Sequence, residues 1–231
     1  SGLIGEVNMV RTIWNGNGGY TAKAPPGMEK KPAGLDWDTC LAWLPKIPWD
    51  PKRYFNRFAY WDYSTGGQTG GLFVHMVDVV HWYLNIKKPE SAVAQGGIYY
   101  HNDGRDTPDN INLALKYPEK VNVTFEANIT DMSSPEVADI IFMGSGGRLS
   151  IFRSSYTFLS GRDKGREERI HIKAPYGSTM PHIQNWFDCI RSRHRPEADE
   201  VEGHYSSMAC HLGNMAYKQN KVIGWRNEWD V

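Results

Sequence analysis

The chain has 231 residues, long enough for one large domain or two small ones with a real core. Its 26 basic and 26 acidic residues balance, which argues against nucleic acid as a partner. No segment reaches the roughly 18 uninterrupted apolar residues of a membrane span, so no membrane partner is expected.

Residues 4 to 14, "IGEVNMVRTIW", read as a strand, and the chain enters it without an initiator Met, as a cut fragment would. The Gly/Pro/Lys-rich stretch that follows, "NGNGGYTAKAPPGMEKKPAG", is long for a loop in a compact domain. Residues 35 to 63 are dense in aromatics and broken by three prolines, which predicts irregular structure with much to bury. The 9 Trp and 12 Tyr fit a carbohydrate-type pocket and fit a large core equally well. The apolar run from Leu72 to Leu84 predicts a helix by its length and lack of alternation. Being apolar nearly all round, it is expected to be buried.

From residue 89 to 173 the period changes to two. In "VNVTFEANIT", Val121, Val123, Phe125, Ala127 and Ile129 alternate with polar residues, as in a strand with one wet or interface-facing side. Hairpins are predicted around Pro118 and around Gly144 to Gly147, with further strands at 92 to 100, 156 to 160 and 168 to 173. Two helices close the chain, "MPHIQNWFDCIRSR" and "EGHYSSMACHLGNMAYKQN", with Pro181 in a first turn where its missing N–H does no harm. Strands massed in the middle and helices at the ends predict an α+β fold: a large, mainly antiparallel, open-faced sheet with helices on one face. Cys40, Cys189 and Cys210 are too scattered for a disulfide framework or a zinc site and read as buried thiols.

A dinucleotide fold needs βαβ alternation with G-x-G-x-x-G after its first strand. "GNGGYT" has Thr21 at the last glycine, "GGQTGG" lacks the spacing and "GSGGRL" ends in Leu149. The chain therefore has no nucleotide-binding half of that kind.

Polar groups stand out in "STGGQTGGLFVHMVDVVHWYL", where His75, Asp78 and His81 recur every third residue. They are catalytic, or bind metal, or are buried groups satisfied by neighbours. Metal is not expected: His81 lies about 240° around the helix from His75, so the two rings cannot converge on one ion. His204 and His211 sit about 10 Å apart along theirs. Asp78, one turn from His75, either sets that imidazole's tautomer or caps a buried polar network. Trp61, Asp62 and Tyr63 with Arg57 either line a sugar pocket or are plain packing.

Several stretches resemble the Gfo/Idh/MocA oxidoreductases. "SGLIGEV" looks like the junction after that family's nucleotide-binding domain. "GLDWDTCLAWLP" resembles its "DWDxWLGPAP" segment, "YFNRFAYWDYSTGG…LFVHMVDVVHW" its active-site stretch, and "HIQNWFDCIRSRHRPEADEVEGHYSSMACHLGNMAY" its C-terminal helices. The resemblance implies the family's C-terminal substrate-binding and oligomerising domain, similar to the C-terminal domain of glyceraldehyde-3-phosphate dehydrogenase. NAD or NADP would be bound mainly by an N-terminal domain missing from this chain. It also implies a carbohydrate substrate (sugar, polyol or glycoside) and a dimer or tetramer formed through the sheet face. By the same resemblance His75 is the acid/base that takes a proton from a sugar hydroxyl, and His182 and Asn185 point into the substrate cleft. One departure stands out: the family usually has an Asp four residues before this His, and here that position is Gly71. That leaves two rivals: a member that uses NAD transiently for glycoside cleavage or lyase chemistry, and a non-catalytic sugar-binding or assembly subunit.

Overall fold

The period-two patterning is realised in one sheet. A computed structural model describes residues 2–16, 23–62, 64, 66–131, 139–161, 169–173 and 179–231. Among these, nine strands pair: β1 (Val7–Asn15), β2 (Ser91–Gly97), β3 (Asn110–Lys116), β4 (Asn122–Asn128), β5 (Ile140–Gly144), β6 (Gly147–Phe152), β7 (Ser155–Ser160), β8 (Arg169–Lys173) and β9 (Ile223–Gly224). Their order is β8-β7-β6-β5-β1-β4-β3-β2-β9. Only β1 and β4 run parallel; the other neighbours are antiparallel, and both predicted hairpins are present as β3–β4 and β5–β6.

Register explains why one face is core. Ala92, Leu115, Val123, Val10 and Phe142 face one another in a single row across β2, β3, β4, β1 and β5. Each is at most 1% exposed, and burying a large aliphatic or aromatic side chain contributes about 1.5–3 kcal/mol. In the next row on this face Thr12 is the polar member, and its Oγ1 donates to the Thr124 carbonyl at 2.8 Å. Side chains one position along point the other way. There the Arg11 guanidinium grips both Glu126 carboxylate oxygens at 2.9 and 3.0 Å, partly in solvent.

Two helices cover the buried face. α3 (Val74–Leu84) is preceded by a π-helical turn over Thr69–Phe73, and the Phe73 ring stacks on Phe125 of β4 at 4.8 Å. α5 (Glu200–Gln219) buries Ala209, Leu212 and Ala216 completely. The Asp199 side chain caps its start by accepting from the N–H groups of Val201 and Glu202, and Asn220 ends it in the left-handed conformation.

Residues 35 to 62 are irregular, as expected, with two short helices, α1 (Trp37–Leu41) and α2 (Pro51–Phe55), started by Asp36 and Asp50. Trp37, Trp49 and Tyr54 pack edge-on or tilted, 5.1–6.2 Å apart, and the two indole N–H groups donate to the Ile47 and Met28 carbonyls. α4 (Thr179–Ser192) has no buried residue; Ile183, Trp186, Phe187 and Ile190 all lie exposed.

Two expectations are corrected. α3 is not buried all round: its sheet side is core, but Trp82 is 74% and Tyr83 53% exposed, because a helix lying on a sheet is covered on one side only. The cysteines are free, but only Cys210 is buried; Cys40 is exposed at the end of the short helix α1.

Candidate functional site on helix α3

The approach to α3 is held from outside. Trp61 N–H donates to the Asp106 carboxylate at 2.8 Å, and the Thr107 hydroxyl to the Phe58 carbonyl at 2.8 Å. The Gln68 amide donates to the Pro108 carbonyl at 2.7 Å. Asp109 anchors this loop in turn. Burial alone would raise its carboxyl, yet N–H groups of Tyr99, His101 and Tyr100 at 2.8–3.0 Å hold it below the usual carboxylate range. The anchors Asp106, Thr107 and Asp109 did not stand out in the sequence, where a loop aspartate carries no signal of what it holds.

His75 and Asp78 lie on the solvent side of α3, one turn apart. His75 makes no hydrogen bond among the described residues. Asp78 does: the Ser206 hydroxyl of α5 donates to its Oδ1 at 2.8 Å. Of the two readings of Asp78, the capped polar network is the one with a bond. His81, one further turn along and about 60° round the helix from Asp78, is turned inward and 4% exposed, with Nε2 2.8 Å from the Tyr117 hydroxyl and Nδ1 3.4 Å from Ser206 Oγ. Burial, with Lys87 nearby, lowers its pKa to about 4. It is a satisfied core histidine.

Gly71 has a physical reason. A Cβ at this position would lie 2.4 Å from Cε1 of Phe58, so the ring occupies the space a carboxylate would need. The Arg57 guanidinium lies over the same ring, 5.0 Å from its centre. Arg57, Phe58, Gly71 and the first turn of α3 are therefore contiguous.

Trp61 lines an open cleft of about 350 Å³ together with Ser64, His211, Asn214, Lys218 and Trp229, among others. Lys218 Nζ stands 4.2 Å from the centre of the Trp61 ring, an arrangement in which the ring face stabilises the cation. Asp62 points elsewhere and pairs with Arg53 at 3.2 Å. Tyr63 lies outside the described residues. His182 and Asn185 are on α4, where Asn185 accepts from the Glu197 N–H at 3.1 Å; no α4 residue lines the Trp61 cleft. Among the described residues no group of three His, Cys, Asp or Glu could hold a metal ion, and no helix is long and apolar enough to cross a membrane.

A family model described as the oxidoreductase family C-terminal alpha/beta domain, of the Gfo/Idh/MocA group, matches residues 11–229. The chain belongs to the Gfo/Idh/MocA oxidoreductase family. No curated protein matches it by sequence. Solved structures match its fold: the oxidoreductase YvaA of Bacillus subtilis (10% identity, TM-score 0.62, 97% of this chain and 59% of that one) and an oxidoreductase of Thermotoga maritima (12%, 0.66, 97% and 57%). A levoglucosan dehydrogenase in complex with NADH and levoglucosan also matches (10%, 0.68, 96% and 60%). The chain thus spans less than two thirds of the length of these relatives.

The glycines of the turn that leads into α3 are accounted for by the protein's own packing. At Gly66, with φ +102°, a Cβ would lie 1.9 Å from Asn214 Nδ2, and at Gly67 it would lie 2.9 Å from Thr107. The space beside this turn is filled by the side chains of Asn214 and Thr107.

Proposed function

We propose that this family member is the substrate-side part of an NAD(P)-dependent oxidoreductase acting on a hydroxyl of a sugar, polyol or glycoside. The observation that carries the reading is His75, an imidazole presented to solvent from a helix whose other side is locked into the core. Oxidising an alcohol removes a proton from oxygen and a hydride from carbon; His75 takes the proton. Arg57 and the Trp61 cleft supply polar and stacking contacts for the sugar, with Asp62, Tyr63, His182 and Asn185 as further candidates. NAD or NADP is held mainly by an N-terminal nucleotide-binding domain, as membership of the family implies. The NADH and levoglucosan bound to the structural relative support this chemistry.

The outer sheet face is the proposed contact in a homodimer or tetramer. It carries an open groove of about 440 Å³ bordered by Met9, Arg11, Val93 and Glu126, among others. In the intact protein, His75→Ala lowers turnover by about 10²–10⁴-fold while sugar binding is retained; unchanged turnover refutes the assignment. The Phe58 ring against Gly71 favours one second reading, in which NAD is used transiently for glycoside cleavage or lyase chemistry. Net NADH accumulation with sugars separates the two, because a transient oxidant is regenerated.

A further inference from the structure

Four side chains, from α3, α5 and the turn after β3, form an unbroken polar path from the core to the face that carries His75. Asp78 Oδ1 is 2.8 Å from Ser206 Oγ, Ser206 Oγ is 3.4 Å from His81 Nδ1, and His81 Nε2 is 2.8 Å from the Tyr117 hydroxyl. The distances do not say where the protons are, but counting them does. An ionised carboxylate only accepts, so the single Ser206 hydroxyl proton is committed to Asp78. Ser206 Oγ then has only lone pairs for His81, and Nδ1 must be the donor. A buried imidazole held neutral has one N–H, so Nε2 is an acceptor and Tyr117 must donate to it.

We propose that Ser206 is a positioning residue: it joins the buried Tyr117–His81 pair to Asp78 in one directed chain, Tyr117→His81→Ser206→Asp78, that fixes the Asp78 carboxylate beside His75. The chain holds His81 as the Nδ1–H tautomer and ties α3 to α5 at the turn that presents His75. Successive bonds polarise in the same direction and strengthen one another. Tyr117 is 1% exposed, and its hydroxyl has the His81 ring as its partner. The placing of Asp78 for catalysis rests on the function proposed above; the proton order does not.

The test is imidazole ¹⁵N NMR of the chain itself. In the unsubstituted protein, Nδ1–H exceeds Nε2–H at His81 by about tenfold or more between pH 6 and 8, the bias expected from a charge-assisted bond at the end of the chain. Asp78→Asn, made at the surface, lowers that ratio at least about threefold, because an amide can donate to Ser206 and let the chain run backwards. Ser206→Ala lowers it as well, and Ser206→Thr, which keeps the hydroxyl, restores it. An Nε2–H tautomer, or a ratio untouched by Asp78→Asn, overturns the proposal. In the intact protein Ser206→Ala is expected to lower kcat about tenfold with KM little changed. If no sugar is oxidised at all, the proposed function fails while the tautomer still decides the chain.

Discussion

Lowering the pH from 7.5 to 5.0 is expected to remove about 2 kcal/mol of stability through His81 alone. Burial keeps this imidazole neutral down to about 4, whereas its ordinary value is 6.5. Between those two values the unfolded chain binds a proton that the folded chain refuses, so stability falls as pH falls and levels off below about 4. At pH 5.0 nearly all unfolded chains but only about a tenth of folded ones carry the proton, a shift of about 30-fold, or about 2 kcal/mol. The full effect at lower pH is about 3 kcal/mol. Asp36, Asp109 and Asp230, whose carboxyls the fold holds below their ordinary value of 3.8, lose stability at lower pH still, but His211, which burial also lowers from 6.5, acts in the same direction within this window, so the comparison with a His81 variant is what isolates His81. The assay is urea unfolding followed by tryptophan fluorescence, for the protein and for His81→Gln, which keeps an acceptor toward Tyr117 but does not titrate. With a slope of about 2–3 kcal/mol per molar urea, the midpoint should fall by about 0.8 M between pH 7.5 and 5.0. His81→Gln should lack most of that fall, and parallel pH dependences for the two proteins would refute the reasoning.

Gly71→Asp should destabilise by about 1–3 kcal/mol, because its Cβ meets the Phe58 ring, and Phe58→Ala in the same chain should recover part of the loss; urea midpoints of the single and double variants decide. Phe125→Ala should cost about 3–5 kcal/mol in the same assay, since this 1%-exposed ring stacks on Phe73 and bridges sheet and helix. A double-mutant cycle on Arg11 and Glu126 should return no more than about 1 kcal/mol, both side chains being over a third exposed. With a thiol reagent, Cys40 should react at least about a hundredfold faster than Cys210, whose thiol is fully buried and pushed well up by that burial; equal rates would show that α5 opens readily.

Much of the fold was legible because a period of two is a local property. Val123, Phe125 and Ala127 announce which face of β4 is buried, and the hairpins around Pro118 and Gly144 follow from short turns between alternating runs. The helix at Leu72 to Leu84 was legible too, but not its exposed side: an all-apolar run does not say which residues the neighbouring sheet will cover. Among the site residues, His75 could be singled out as a polar group in an apolar helix. The anchors Asp106, Thr107 and Asp109 could not, since their partners lie up to 49 positions away in the chain.

By itself the sequence determined the longer helices and most strands, the buried face of β4, and the placement of three titratable groups at three-residue intervals on one helix. Tertiary structure alone decided what those groups became. His75 was turned to solvent, Asp78 was given to Ser206 across 128 residues, and His81 was closed between Ser206 and Tyr117. The physical reason is that helical spacing sets only the angle between side chains. Whether an angle faces water, a sheet or another helix depends on how distant elements pack, and no local pattern encodes that.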